Sequence, residues 1–337
     1  MTDDDRADAS TNEPLPELSF AGIPTFLKSD ESAIDDLEDA DVGVLGVPFD
    51  GAVSRQPGAR FGPAAIREAS GWYAYLGGYK HGLLNVETDR IVDYGALEIR
   101  DCGDVETVPT SIERTRPRIE RAVEGVADRA FPLVLGGDHY VTYPSYLGFA
   151  RSVEEPVGVI QIDAHTDTVD SSSLYGEHFH GSPMARIDDS EYGDYGAHAM
   201  IGIRGYEGPE FADIPEERGL HVSYADDVRD RGIDACVRDA IDHVTSSVEH
   251  VYLTVDIDGV DPAYAPGTGT PEPGGLSSAQ LLRAMDLLGD CEAIGAMDLM
   301  EVAPKLDPTE STQRLAANAI VRFLESRFLE DASGESR

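Results

Sequence analysis

Six stretches of the chain are apolar almost without interruption and end in glycine or polar residues. They are DVGVLGVP (41–48), FPLVLGG (131–137), VGVIQID (157–163), AHAMIGI (197–203), VYLTVDID (251–258) and EAIGAMDLM (292–300). Their shortness and their content of Val, Ile and Leu predict strands buried on both faces. Segments with apolar positions at helical spacing lie between them, over 62–76, 109–128, 230–246, 277–287 and 310–328. Glu310 and Ser311 are cap candidates for the last of these. Such strands alternating with helices predict an α/β fold, a three-layer αβα arrangement around a mainly parallel central sheet. Residues 19–330 read as one domain, between a flexible acidic arm (1–18) and a frayed tail (331–337).

Composition narrows the setting. The 337 residues carry 64 acidic against 26 basic side chains, a net charge of −38, and the acids are spread along the whole chain. Lys28, Lys80 and Lys305 are the lysines; the other basic residues are arginines. So much like charge destabilises a compact state unless salt screens it, which predicts adaptation to concentrated salt. The same charge disfavours nucleic acid and anionic membrane but suits a small cationic partner. No apolar run approaches the roughly 18 residues of a membrane span, and the acidic start is the reverse of a signal peptide, so a cytoplasmic protein is expected. Cys102, Cys236 and Cys291 show no CxxC spacing and predict neither a disulfide framework nor a thiolate zinc site.

Three of the strand ends carry chemistry. VLGGDHY places Asp138 and His139 after a glycine pair, read here as permitting a tight turn. QIDAHTDT supplies Asp163, His165 and Asp167, and YLTVDIDGVDP supplies Asp256 and Asp258. A spacing of two puts side chains on one face of an extended chain, so each pair is expected to point to one place. Carboxylates gathered at a sheet end repel unless a cation neutralises them. The thiolate-free set His139, Asp163, His165, Asp167, Asp256 and Asp258 suits a hard divalent ion such as Mn²⁺, and six ligands suit two ions better than one.

These motifs, GGDH, DAHTD and DxDxxDP in this order, resemble those of the ureohydrolases, the family of arginase and agmatinase. The resemblance runs from about residue 20 to 328. GVPFDGAVSRQPGARFGPAAIR (46–67) and FAGIPTFLK (20–28) look most like the agmatinase branch. It implies an arginase-like fold and two Mn²⁺ per subunit, with Ni²⁺ or Co²⁺ as alternatives. His139, Asp163, Asp167 and Asp256 match the ligands of one ion, and Asp163, His165, Asp256 and Asp258 those of the other. The family's nucleophile is a hydroxide bridging the ions. His180 in FHGSP matches its proton shuttle, with His178 as a competitor. Glu301 in MDLMEVAP matches the glutamate that holds the guanidinium, and Asp298 reads as structural support. Relatives assemble as trimers or hexamers, which implies a homotrimer or homohexamer.

Arginases carry an asparagine two residues after the last aspartate of DAHxD, where it helps bind the amino acid's carboxylate. Val169 stands there in this chain. The departure points away from arginine and towards agmatine, hydrolysed to putrescine and urea in polyamine biosynthesis, with Glu207 as a candidate for the far amine. The loop 170–181 and the segment 70–84, with Trp72, Tyr73, Tyr75 and Tyr79, are expected to shape the distal pocket or to pack. Guanidinobutyrase, formimidoylglutamase and guanidine hydrolase are alternatives. The first two would want a basic residue at the outer pocket, for which Arg55, Arg60 and Arg204 are candidates. Readings of another class are a non-catalytic metal-binding regulatory homologue and a zinc deacetylase on a related sheet.

Overall fold

The computed structural model describes residues 18–78 and 82–329; the expected arm, apart from Leu18, the expected tail and Tyr79 lie outside them. The strands are β1 (Asp30–Glu31), β2 (Val42–Gly46), β3 (Leu83–Asn85), β4 (Arg90–Val92), β5 (Ile99–Asp104), β6 (Phe131–Leu135), β7 (Val157–Ile162), β8 (His198–Ile203), β9 (His221–Tyr224), β10 (His250–Asp256) and β11 (Ile294–Met300). The helices are α1 (Gly62–Gly78), α2 (Ile112–Ala127), α3 (Thr142–Val153), α4 (Pro183–Asp188), α5 (Ile214–Arg218), α6 (Ala225–Arg231), α7 (Ile233–Thr245), α8 (Ser278–Gly289) and α9 (Ser311–Phe328). Nine strands form one parallel sheet in the order β1-β5-β2-β6-β11-β10-β7-β8-β9, and β3 and β4 make a separate antiparallel ribbon.

Alternation along the buried strands sorts their side chains into two cores. Leu133, Ile160, Leu253 and Leu299 face Ile66, Val237, Leu281 and Phe323 of α1, α7, α8 and α9. Val134, Val159, Tyr252 and Ala296 face Val123, Leu147 and Met184 of α2, α3 and α4. Each inward face is covered by helices, and this is why the strands read as unbroken apolar runs. All six expected strands are present. The α/β three-layer reading holds.

Several details differ from the expectation. The segment 230–246 is two helices, α6 and α7, because Gly232 adopts φ 85°, a left-handed conformation that interrupts an α-helix. Neither Glu310 nor Ser311 caps α9 with its side chain. The carboxylate of Asp307 does so instead, accepting from Thr312 N at 2.8 Å and from Ser311 Oγ at 2.9 Å. Gly136 and Gly137 do not supply a positive φ. They allow close approach: a Cβ on Gly137 would stand 1.7 Å from the carbonyl oxygen of Phe49, and one on Gly136 1.7 Å from the Met300 sulfur.

Strand order positions the site. β11 and β10, late in the chain, lie between β6 and β7. The four adjacent carboxyl ends therefore bring together residues as far apart as His139 and Glu301, 162 positions in sequence.

Candidate metal centre

The ligand residues lie at the last position of a strand or just past it, where turns set their convergence and the pleat does not. Asp163 Oδ1 accepts the backbone N–H of His165 at 2.7 Å, and Asp256 Oδ1 accepts that of Asp258 at 2.8 Å. In each pair the first aspartate closes a turn that brings the second residue round to it. Gln161 Nε2 donates to Asp163 Oδ2 at 2.7 Å, and Thr270 Oγ1 donates to Asp258 Oδ2 at 3.0 Å. The two loops are tied to each other by Ala164 N, which donates to Asp258 Oδ1 at 3.2 Å.

Two groups of ligand atoms converge, His139 with Asp163 and Asp167, and Asp163 with His165 and Asp258, each within 4.8 Å. Asp163 belongs to both. Asp256 approaches the first group, with Oδ2 3.4 Å from His139 Nδ1, without joining either convergent set. His139 Nδ1 stands 2.7 Å from Asp167 Oδ2 and 3.0 Å from Asp163 Oδ2, yet no hydrogen bond to it has acceptable geometry. Its other nitrogen, Nε2, is 2.9 Å from Thr254 Oγ1. A buried imidazole nitrogen ringed by carboxylate oxygens but bonded to none is the arrangement expected around a shared cation. The residues fit divalent ions.

The electrostatics agree. Burial, and then the Asp163 charge, pushes Asp167 up to about 6. Burial, and then Asp258 and Asp163, pushes Asp256 well above the carboxylate range. Burial works against the Asp163 carboxylate, but the close approach of the His139 and His165 rings outweighs it and holds it low. Burial lowers His165, yet Asp258 and Asp163 carry it up to about 12. These shifts mark a cluster that needs positive charge to stay ionised.

Glu301 and His180 complete the wall. Glu301 has φ 61° and Asp167 φ 54°, left-handed conformations that place strain at the site. Glu301 Oε1 accepts from His139 N at 3.1 Å and from His180 Nδ1 at 2.9 Å, while Oε2 is buried without a partner. Burial lowers His180, but its hydrogen bond to Glu301 raises it to about 9. His178 turns away, its Nδ1 3.2 Å from Tyr140 Oη. Asp298 is structural support as expected, accepting from Tyr252 Oη at 2.9 Å.

A cavity of about 180 Å³ opens over these groups, lined among others by Ser54, His165, Val169, His180 and Glu207. Glu207 Oε1 accepts from Thr166 N at 3.0 Å, leaving the carboxylate at the rim. Among the described residues, no lysine or arginine lines this cavity. Arg60 is paired with Asp50, and the Arg204 guanidinium is spent on the backbone carbonyls of Asp258, Gly259 and Glu272. The described residues of the segment 70–84 are not part of it: Trp72 and Tyr73 line a different cavity, of about 520 Å³, between α1 and α9, and Trp72 stacks on Tyr75. Sequence reasoning missed Ser54, Gln161, Thr254 and Thr270. Gln161 and Thr254, polar residues inside otherwise apolar strands, were the available signal.

Comparison with known proteins gives the family. Residues 40–325 match the Arginase family. The chain is 38% identical to an agmatinase of Chromobacterium violaceum over 302 residues, 90% of this chain and 88% of that one. It superposes on proclavaminate amidinohydrolase of Streptomyces clavuligerus with a TM-score of 0.79 at 32% identity, covering 93% of this chain and 99% of the other. A formiminoglutamase of Trypanosoma cruzi, solved with two Mn²⁺, gives 0.74 at 25% identity over 88% and 98%.

Proposed function

This chain belongs to the arginase family, hydrolases of amidino C–N bonds, and on that premise we propose that it is a dimanganese agmatinase, converting agmatine and water into putrescine and urea. The observation that carries the choice of substrate is the outer cavity, which offers Glu207 and Val169 and, among the described residues, neither lysine nor arginine. A substrate with a cationic far end finds a carboxylate there. One with a carboxylate far end finds no cation among the described lining residues.

His139, Asp163, Asp167 and Asp256 would hold one ion, and Asp163, His165, Asp256 and Asp258 the other, with Asp163 and Asp256 shared. When bound, such ions neutralise the cluster and lower the pKa of water towards neutrality, which supplies the nucleophile. The rest falls to the chain. Glu301 Oε2, buried and unpartnered, accepts N–H groups of the guanidinium and fixes its carbon in the pocket. His180 gives the departing primary amine its proton. Glu207 takes the far ammonium, and Val169 leaves its side of the pocket without a donor for a carboxylate. A cytoplasmic homotrimer or homohexamer serving polyamine biosynthesis completes the reading.

The test is urea release from agmatine, arginine, 4-guanidinobutyrate and guanidine with Mn²⁺ in molar salt, together with formamide release from formimidoylglutamate. Agmatine should give the highest kcat/KM. Preference for 4-guanidinobutyrate or formimidoylglutamate would move the assignment to those hydrolases and implicate Arg55, exposed in the loop beside Ser54.

A further inference from the structure

The loop between β2 and α1 reaches over the cavity and touches His180. Ser54 N donates to His180 Nε2 at 3.0 Å, and Ser54 Oγ lies 2.7 Å from the same nitrogen. On the other side of the ring, Nδ1 is 2.9 Å from Glu301 Oε1. A backbone amide can only donate, and a carboxylate can only accept from the ring. Nδ1 therefore carries the hydrogen and Nε2 the lone pair. The loop is held in place independently of the histidine. Asp50 accepts from Gly58 N at 2.8 Å and pairs with Arg60, while Tyr175 Oη donates to the Ser54 carbonyl at 3.0 Å.

We propose that Ser54 is a positioning residue for proton transfer, whose amide and hydroxyl fix the His180 ring in the Nδ1–H form with Nε2 as the exchanging atom. The proposal rests on the role given to His180 above. The charged groups facing the ring are Glu301 after β11, Asp167 after β7 and Asp138 after β6. All three favour a charged imidazole, and the Ser54 amide opposes them, since an Nε2–H would face an N–H. The hydroxyl serves both states. It donates to Nε2 when the ring is neutral and rotates to accept when Nε2 holds a proton, so the ring keeps a partner as the proton comes and goes. Neither Glu301 nor the metal ligands can do this on the Nε2 side, because none of them bonds that atom.

Ser54→Ala, Ser54→Thr and Tyr175→Phe test it in two arms. In the first, ring ¹⁵N spectra of the metal-free protein recorded above pH 9, where the ring is neutral, with His180→Gln to assign the signal, should show one Nδ1–H form in the starting protein. Ser54→Ala keeps the backbone amide and Glu301, so the Nδ1–H form should persist there while the Nε2 resonance shifts with loss of the hydroxyl. Ser54→Thr should restore that resonance, and Tyr175→Phe, which loosens the loop, should show a smaller shift. In the second, Ser54→Ala should lower kcat about tenfold with KM nearly unchanged, and Ser54→Thr should recover it. An Nε2–H form in the starting protein, or an unchanged His180 signal in Ser54→Ala, would overturn the proposal. So would a loss of kcat that Ser54→Thr does not rescue. If no substrate is turned over, the assignment of function fails, while the spectra still decide the role of Ser54.

Discussion

Aspartate is used in two opposite ways in this molecule. On the surface, carboxylates spread over the whole chain contribute to a net charge of −38 and stand in water. At the carboxyl ends of β7 and β10, Asp163, Asp167, Asp256 and Asp258 are buried and crowd two imidazoles. The same side chain is screened by solvent ions in the first place and needs its own counter-charge in the second. Charge alone therefore says little about function in so acidic a chain. Burial and convergence say more.

The comparison is broken most severely by removing the shared carboxylate. Asp163→Ala should abolish both metal sites and lower kcat by roughly three orders of magnitude or more, read by metal analysis and urea release. Metal content unchanged in that variant would count against a shared ligand. Next comes His180→Ala, expected to slow turnover about a hundredfold or more while both ions stay bound. A smaller effect is linkage between protons and metal. His165, up at about 12, keeps its proton across the neutral range in the metal-free protein, while Asp167, up at about 6, takes one only as pH falls through that value, and ligands must shed these protons to bind. Affinity should rise with pH and weaken as pH falls through 6, with proton release visible by calorimetry in two buffers; affinity flat across that range would remove the proton-for-cation account.

The exposed carboxylates should respond to salt instead. Dialysis from molar to millimolar salt should lower Tm, and Mn²⁺ at saturating levels should restore only part of it, since it fills the buried sites alone. Full stability in millimolar buffer would end the salt-adaptation reading. The smallest effect is expected at a carboxylate of the third kind, a helix cap. Asp307→Ala should cost about 1 kcal/mol, a few degrees in Tm, without touching activity.

Much of the frame was legible because strands buried on both faces leave long apolar runs, as at 157–162 and 250–256. β5 escaped notice because IRDCGD mixes charge into a strand whose Asp101 is buried against Arg67. Helix α3 escaped because it is buried on most of its circumference and carries Pro144 and Gly148, so no polar face revealed its period. The ligand residues were legible as types at strand ends, but the reason for their convergence was not: the turns closed by Asp163 and Asp256 depend on backbone hydrogen bonds that spacing does not encode. Likewise Ser54 and His180 are 126 positions apart, and nothing local marks Ser54 as its partner.

The position of β10 and β11 between β6 and β7 has a consequence for how the protein is made. A ribosome releases His139 and Asp163 well before the strands that must separate them. Until the last third of the chain arrives, β6 and β7 have no proper neighbours on their inner sides, and no complete cage exists for a cation. Long-range parallel pairing of this kind is slow. Metal capture would therefore wait for β10, and a chain interrupted before Asp258 would remain inert.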